Sequence, residues 1–319
     1  MRFLVAMCAI SLGVAGFSVR AAEYPSQPIT MIVPFSAGSG TDTVARAVAS
    51  VMQRELKTSV VVDNRPGASG MIAASDVLKS KSDGYTIFVG AVSTNAANPV
   101  LFKHLSYDPA RDFIPVGSVA GSAPVLLVRA DTNIKTIADV LRLAKEKKGK
   151  LNFGSSNASG LFSAEMFKHN AGIAGEVVNY SSASQAHVDV ASGQLDFIFG
   201  DFVAGGGLMQ AGKLRPIAIA ASKRLSMFPD IPTVAEGGVD GVMVPIWVGM
   251  FAPKGTSDLV VERLNQALAV ALQNPGVLEI FKKGALDARI STPSEFAAYV
   301  AGQQKHWAGM ARQINYRPQ

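Results

Sequence analysis

Two short polar turns hold the residues of this chain best suited to gripping a small anion. The first, Ser36-Ala37-Gly38-Ser39-Gly40, follows the apolar run 29–35 and leads into Thr41 and Asp42. The second, Ser155-Ser156-Asn157-Ala158-Ser159, follows the run 151–154 and leads into Gly160. Each reads as a junction between a strand and a helix. A helix N-terminus exposes unpaired amide N–H groups and the positive end of the helix dipole, so it favours anions. Gly38 and Gly40 have no side chain and let a ligand approach the backbone. Ser36, Ser39, Thr41, Ser155, Ser156 and Ser159 offer hydroxyls that can donate to carboxylate oxygens. Glycine and serine suit any tight strand-to-helix turn, so it is the pairing of two such turns, in two halves of the chain, that points to a ligand.

Other chemistries fit less well. Gly38-Ser39-Gly40 between strand and helix resembles a dinucleotide fingerprint, with Asp63 as the ribose-binding acid. Thr43 stands where the third glycine belongs, however, and Asp42 would set a negative charge beside a pyrophosphate. No serine sits in a G-x-S-x-G elbow and there is no phosphate-binding P-loop. The four histidines, His104, His169, His187 and His306, have no partner at metal-ligand spacing. Asp42, Asp189, Asp196 and Asp201 are read as capping or surface residues before acid–base pairs. No metal, no cofactor and no catalysis are expected.

The elements that must hold these turns follow one grammar twice. Ile29 to Phe35 is a continuous β-rich run, as in a strand buried on both faces. After the first turn, Val44, Val48, Val51, Met52 and Leu56 recur at helical spacing, with Thr41 or Asp42 as the cap. Strands at 59–62 and 85–90 with a helix at 72–79 between them complete a first set. A second set starts near Ala123, with strands at 123–128, 151–154, 177–180, 197–199 and 213–221, and helices at 137–147, 160–170 and 183–192. Alternating strands and helices argue for doubly wound α/β lobes. The strand at 246–251 and the helices 259–273 and 293–307 have no sheet of their own and are expected to return to the first lobe. The expected domains are lobe 1 over 23–124 plus 248–319 and lobe 2 over 125–247, joined by two crossing segments. Such a cleft is the default place for a small ligand.

The start of the chain sets the compartment. Arg2, the apolar run Phe3 to Phe17 and the small residues around Val19-Arg20-Ala21 have the order of a secretory signal peptide over residues 1–22. A run of about 15 residues is short for a membrane span. Removing it takes away Arg2, Arg20 and Cys8, the only cysteine. That leaves 28 basic against 24 acidic residues, net +4, and no disulfide chemistry. The basic residues are scattered, so no nucleic-acid patch is expected.

At the turns, and over nearly the whole mature chain, the sequence resembles the Bug family, the periplasmic receptors of tripartite tricarboxylate transporters. The likeness runs through Ile32-Val33-Pro34-Phe35, Thr41-Asp42, Asn64-Arg65-Pro66-Gly67-Ala68, Asp83-Gly84-Tyr85-Thr86 and Tyr107-Asp108-Pro109. It continues through Pro229-Asp230-Ile231-Pro232-Thr233, Trp247 with Gly249, and Thr292-Pro293 with Glu295-Phe296. The resemblance implies a two-lobed periplasmic-binding-protein (Venus-flytrap) fold that closes on a small organic carboxylate. It also implies membrane permease subunits as partners, or alternatively a sensor kinase that reads the closed form. A monomer in the periplasm is expected. It places Phe35, Gly38, Ser39, Thr41 and Asp42 on one side of the ligand. Ser155, Ser156, Tyr180, Ser181, Ser182, Ala183 and Asp201 lie on the other, with Ser93 at the mouth of a third loop. Where the family has Tyr-Lys-Gly, this chain has Tyr180-Ser181-Ser182. The missing lysine favours a mono- or dicarboxylate, aromatic or amino-substituted among the options, over a tricarboxylate. Phe162 and Phe202 are candidates for apolar contact, with core packing as the alternative.

Overall fold

The computed structural model describes residues 24–319; the expected signal peptide lies outside the described residues. The first lobe is a sheet of β1 (Ile29–Val33), β2 (Val60–Asn64), β3 (Thr86–Ala91), β4 (Phe113–Ser122), β10 (Ile246–Pro253) and β11 (Asp287–Ala288). The second sheet holds β5 (Val125–Arg129), β6 (Asn152–Ser155), β7 (Glu176–Asn179), β8 (Phe197–Gly200) and β9 (Leu214–Ile219). Around them lie α1 (Gly40–Glu55), α2 (Met71–Leu78), α3 (Asn98–Leu101), α4 (Ile137–Lys147), α5 (Ala158–Ala171), α6 (Ala183–Ser192) and α7 (Phe202–Gln210), then α8 (Asp258–Gln273), α9 (Pro275–Lys283) and α10 (Pro293–Gln313).

The strand orders are β11-β4-β10-β3-β1-β2 and β7-β6-β8-β5-β9. Apart from β11 they are the same order: β2-β1-β3-β10-β4 matches β7-β6-β8-β5-β9 position by position. In each sheet the first three strands are parallel. The strand that arrives from the other lobe, β10 or β5, enters antiparallel on both sides. The sheets are therefore mixed rather than purely parallel. A chain crossing from the other lobe meets the sheet from its far end, which reverses its direction. The chain leaves the first sheet after Ser122 and enters the second at Val125; it returns between Ile219 and Ile246.

Three buried clusters hold this together. One fills the space between the first sheet, α1 and α8, with Val44, Val48, Met52, Leu264 and Leu268 facing Val89 and Met250. Another lies between the second sheet and the α6–α7 layer. The third runs without interruption from the opposite face of the first sheet, through Trp247 and Trp307, to Phe153, Phe162 and Phe167 in the second lobe. α10 is the joint: Trp307 meets Phe162 of α5 at 4.8 Å between ring centroids, and Tyr316 beyond it meets the same ring at 5.1 Å. The last helix thus lies on the first lobe, against β4 and α8, and also reaches the second through Phe162. Phe162 belongs to this core, and Phe202 stacks on Phe228 at 4.4 Å, so each is a packing residue.

Candidate functional site

Four helices begin at one place between the lobes. α1 is capped by Ser39, α5 by Asn157, α6 by Ser182 and α7 by Asp201. All four caps line a single cavity of about 940 Å³, its open mouth included. The cap of α1 is Ser39, not Thr41 or Asp42, because Ser39 keeps an extended backbone while Gly40 already starts the helix. Each cap binds the amide three residues on: Asp42 N donates to Ser39 Oγ at 3.3 Å, Gly160 N to Asn157 Oδ1 at 2.9 Å, Gln185 N to Ser182 Oγ at 3.4 Å, and Ala204 N to Asp201 Oδ1 at 2.8 Å. The first amides of a helix have no acceptor within it. Those of Gly40, Thr41, Ala183, Ser184 and Val203 therefore remain as donors at the cavity wall, with no protein acceptor among the described residues.

Of the residues expected at a ligand site, Phe35, Ser39, Thr41, Ser93, Ser156, Ser181, Ser182, Ala183 and Asp201 line the cavity. The others stand behind it. Gly38 is off the wall at φ 80°, a left-handed turn that glycine favours, and a side chain there would meet no neighbour. Its contribution is the turn itself. Asp42 is 4% exposed and braces that turn from below. Its Oδ2 accepts the Gly38 amide at 2.9 Å, and its Oδ1 accepts from Asn64 and pairs with Arg46, both at 2.9 Å. Asn64 also donates to the Phe35 carbonyl at 3.0 Å. Burial pushes the Asp42 carboxyl up, but hydrogen bonds from Arg46, Gly38 and Asn64 outweigh it and hold the pKa below the usual carboxylate range.

Ser155 is 1% exposed and donates to the Asn157 carbonyl at 3.0 Å, so it shapes the second turn from inside. Tyr180 lines an adjoining compartment, and its hydroxyl donates to Asp189 Oδ2 at 2.7 Å. That bond, followed by burial, pushes its pKa up to about 12. Asp189 also accepts from Gln185 at 2.7 Å, so the one proton of the Tyr180 hydroxyl is spent on the carboxylate of α6 and not on the cavity.

Several wall residues were not visible from the turns: Val92, Val203, Ile246, Trp247, Val248, Gly284 and Leu286. Most are apolar, and they come from segments far apart in sequence. Trp247 is 1% exposed, and its indole N–H has no acceptor among the described residues. Among the described residues no lysine, arginine or histidine lines the cavity, and Asp201 is its one formally charged side chain. The lobes touch around it. Ser93 Oγ accepts the Ala158 amide at 3.4 Å, and Ser159 Oγ ties the second turn to the returning crossing segment by donating to the Pro245 carbonyl at 2.8 Å. Val203 of α7 sits against Gly40 and Gly284, and a Cβ at Gly284 would lie 2.6 Å from Val203 Cγ2. Among the described residues there is no metal-ligand cluster, and no helix is long and apolar enough to cross a membrane.

The model of the tripartite tricarboxylate transporter family receptor matches residues 44–316. The chain belongs to this receptor family. Among its relatives is Protein BugT of Bordetella pertussis, 32% identical over 97% of each chain. Among solved structures, the R. palustris protein Rpa4515 with adipate is 30% identical, with a TM-score of 0.89 over 93% of this chain and 100% of that one. MatC from Rhodopseudomonas palustris with bound malate is 29% identical, with a TM-score of 0.83 over 90% of this chain and 99% of that one. Two related solved structures hold a small carboxylate, which matches a cleft of helix ends and hydroxyls, and the family is one of receptors, not of enzymes.

Proposed function

We propose that this chain is an exported solute receptor that closes on a small mono- or dicarboxylate and delivers it to the membrane permease subunits of a tripartite transporter. The observation that carries the reading is the meeting of four helix N-termini at one cavity whose wall has no cationic side chain. Each N-terminus presents roughly half an elementary positive charge. Together they supply about two, against the one formal negative charge of Asp201. The balance, about +1, offsets a single carboxylate outright, and a second is carried by the free amides and hydroxyls of the wall. A third carboxylate would enter a desolvated site without a counter-charge, at a cost of roughly several kcal/mol.

In this reading the amides of Gly40, Thr41, Ala183 and Ser184 hold carboxylate oxygens. The hydroxyls of Ser39, Thr41, Ser93, Ser156, Ser181 and Ser182 complete their hydrogen bonds. Phe35, Val92, Trp247 and Leu286 pack on the carbon skeleton, and the second Asp201 oxygen accepts a hydroxyl or amino hydrogen from the guest. The adipate and malate held by related receptors, both dicarboxylates, support the charge range. Residues 1–22 act as the export signal, and the receptor works as a monomer in the periplasm, releasing its guest unchanged. Gly38, Asp42, Ser155 and Tyr180 hold the loops without touching the guest.

Calorimetry of the mature protein against a panel of benzoate, malate, adipate, aspartate and citrate tests this. Saturable one-to-one binding is expected for a mono- or dicarboxylate, with the bound compound recovered intact after long incubation. Citrate as the tightest ligand would overturn the charge argument, and turnover of any panel member would overturn the receptor reading.

A further inference from the structure

Next to the ligand cleft, sharing Ser122 of the first crossing with it, lies a second and larger concavity of about 1480 Å³ counting open solvent. Its walls come from both lobes and from both crossings: Ser122 and Ala123 on one, Met243 to Pro245 on the other. The strand region at 286–289 separates the two spaces. Leu286 lines the ligand cleft, while Asp287 and Arg289 line the groove. Arg289 is the feature that stands out chemically. Its guanidinium lies flat over Gly121, where a Cβ would come within 2.2 Å of Nε. Its Nη1 donates to the Tyr299 hydroxyl at 3.0 Å, and its Cζ sits 5.6 Å from the Tyr299 ring centroid.

Half-buried and fixed in this way, Arg289 makes no ion pair among the described residues, and its Nε and Nη2 have no acceptor there. None of its nitrogens is a buried atom without a partner, so the free edge stays open to a ligand, and a guanidinium already held in place loses little entropy on binding a planar or tetrahedral oxyanion. Across the groove the second lobe contributes Ser222, Lys223 and Ser226, all exposed, and Lys223 likewise makes no ion pair among the described residues. Arg224, beside it, is already engaged by Glu236 at 3.0 Å. Asp287, the groove's own acid, is exposed and lies beyond ion-pair distance of Arg289.

We propose that this groove is a second binding site, for a small oxyanion of the phosphate or carboxylate type. The anion takes two hydrogen bonds from Arg289 and is met from the other lobe by Lys223 and the hydroxyls of Ser222 and Ser226. Because its walls belong to both lobes, an anion held there spans the hinge, and it occupies a surface separate from the cleft that holds the transported guest.

The test is a titration of the mature protein with inorganic phosphate, and separately with malonate, at constant ionic strength, followed by ¹H–¹⁵N NMR of backbone amides and the arginine Nε–H groups. Saturable shifts are expected at Arg289 Nε–H and at residues 222–226, whichever of the two anions binds more tightly. Arg289→Gln should weaken this binding by about tenfold or more, as befits loss of charge-assisted hydrogen bonds. Lys223→Gln, an exposed change that leaves the fold alone, should weaken it by a smaller factor. Unchanged affinity in both variants would overturn the proposal. So would shifts confined to the cleft loops at 36–42 and 181–184, or no saturation below about 10 mM.

Discussion

In the first lobe's half of the cleft a single helix end carries the turn, and each polar group beneath it is committed. Asp42 takes the Gly38 amide, Asn64 and Arg46, and Asn64 in turn fixes the Phe35 carbonyl. In the second lobe three helix ends converge, capped by Asn157, Ser182 and Asp201, and the last of these helices carries Gly205, Gly206 and Gly207 in its middle. One half is a braced template with few donors; the other is rich in donors and built from helices with small side chains. The contrast suggests a division of labour. On the proposed reading, the first lobe fixes where a carboxylate sits, and the second closes over it and supplies most of the hydrogen bonds.

The largest expected effect comes from the seam where the halves meet. Gly284→Ala places a Cβ 2.6 Å from Val203 Cγ2 at a backbone conformation that alanine accepts, φ −91°. Overpacking of this kind costs about 1–3 kcal/mol, so guest affinity should fall by roughly ten- to a hundredfold. Small-angle scattering should show a more open molecule, and Val203→Ala should restore most of the loss in a double-mutant cycle. Independent, additive effects of the two changes would show that the lobes do not meet there on closure.

Next in size is the brace. Asp42→Asn should lower stability by about 2 kcal/mol at neutral pH, since the charged acceptor of three partners is lost. Folding lowers the pKa of Asp42, so its contribution is complete above the ordinary carboxylate range and is lost as pH falls through the lowered value. Denaturant unfolding of both proteins should therefore diverge at pH 7 and converge in acid. A penalty that stayed constant with pH would mean that shape, not charge, holds the turn.

The smallest effect belongs to the second lobe. Tyr180→Phe removes the hydrogen bond to Asp189 and should cost about 1 kcal/mol of stability, with guest affinity unchanged by calorimetry. A marked loss of affinity would instead return the Tyr180 hydroxyl to the binding surface.

Much of this contrast was legible in the residues. The apolar run at 29–33 and the small-residue turn after it announce a buried strand feeding a helix end, and the second turn repeats the signal. What stayed hidden has physical causes. Three consecutive glycines, each costing about 1 kcal/mol in a helix, mask α7, and with it the role of Asp201 as a cap. Pro115, Gly117 and Gly121 interrupt the pattern of β4, which survives because β10 pairs along its whole length. Pairings such as Tyr180 with Asp189 depend on which face of α6 turns inward. The apolar wall of Val203, Trp247 and Leu286 is assembled only when distant segments fold together. Turn chemistry is local and readable; the cavity it serves is not.

The lining of helix ends and hydroxyls has a consequence for the loaded molecule as an electrolyte. These groups lend partial charge without giving up or taking on a proton, so they do not themselves offset the charge that a guest brings. Loading then changes the net charge of the particle by the full charge of its cargo, and full and empty receptors differ in isoelectric point. On the proposed reading the change is concentrated at the seam between the lobes, as a shift in local electric potential distinct from any change in shape.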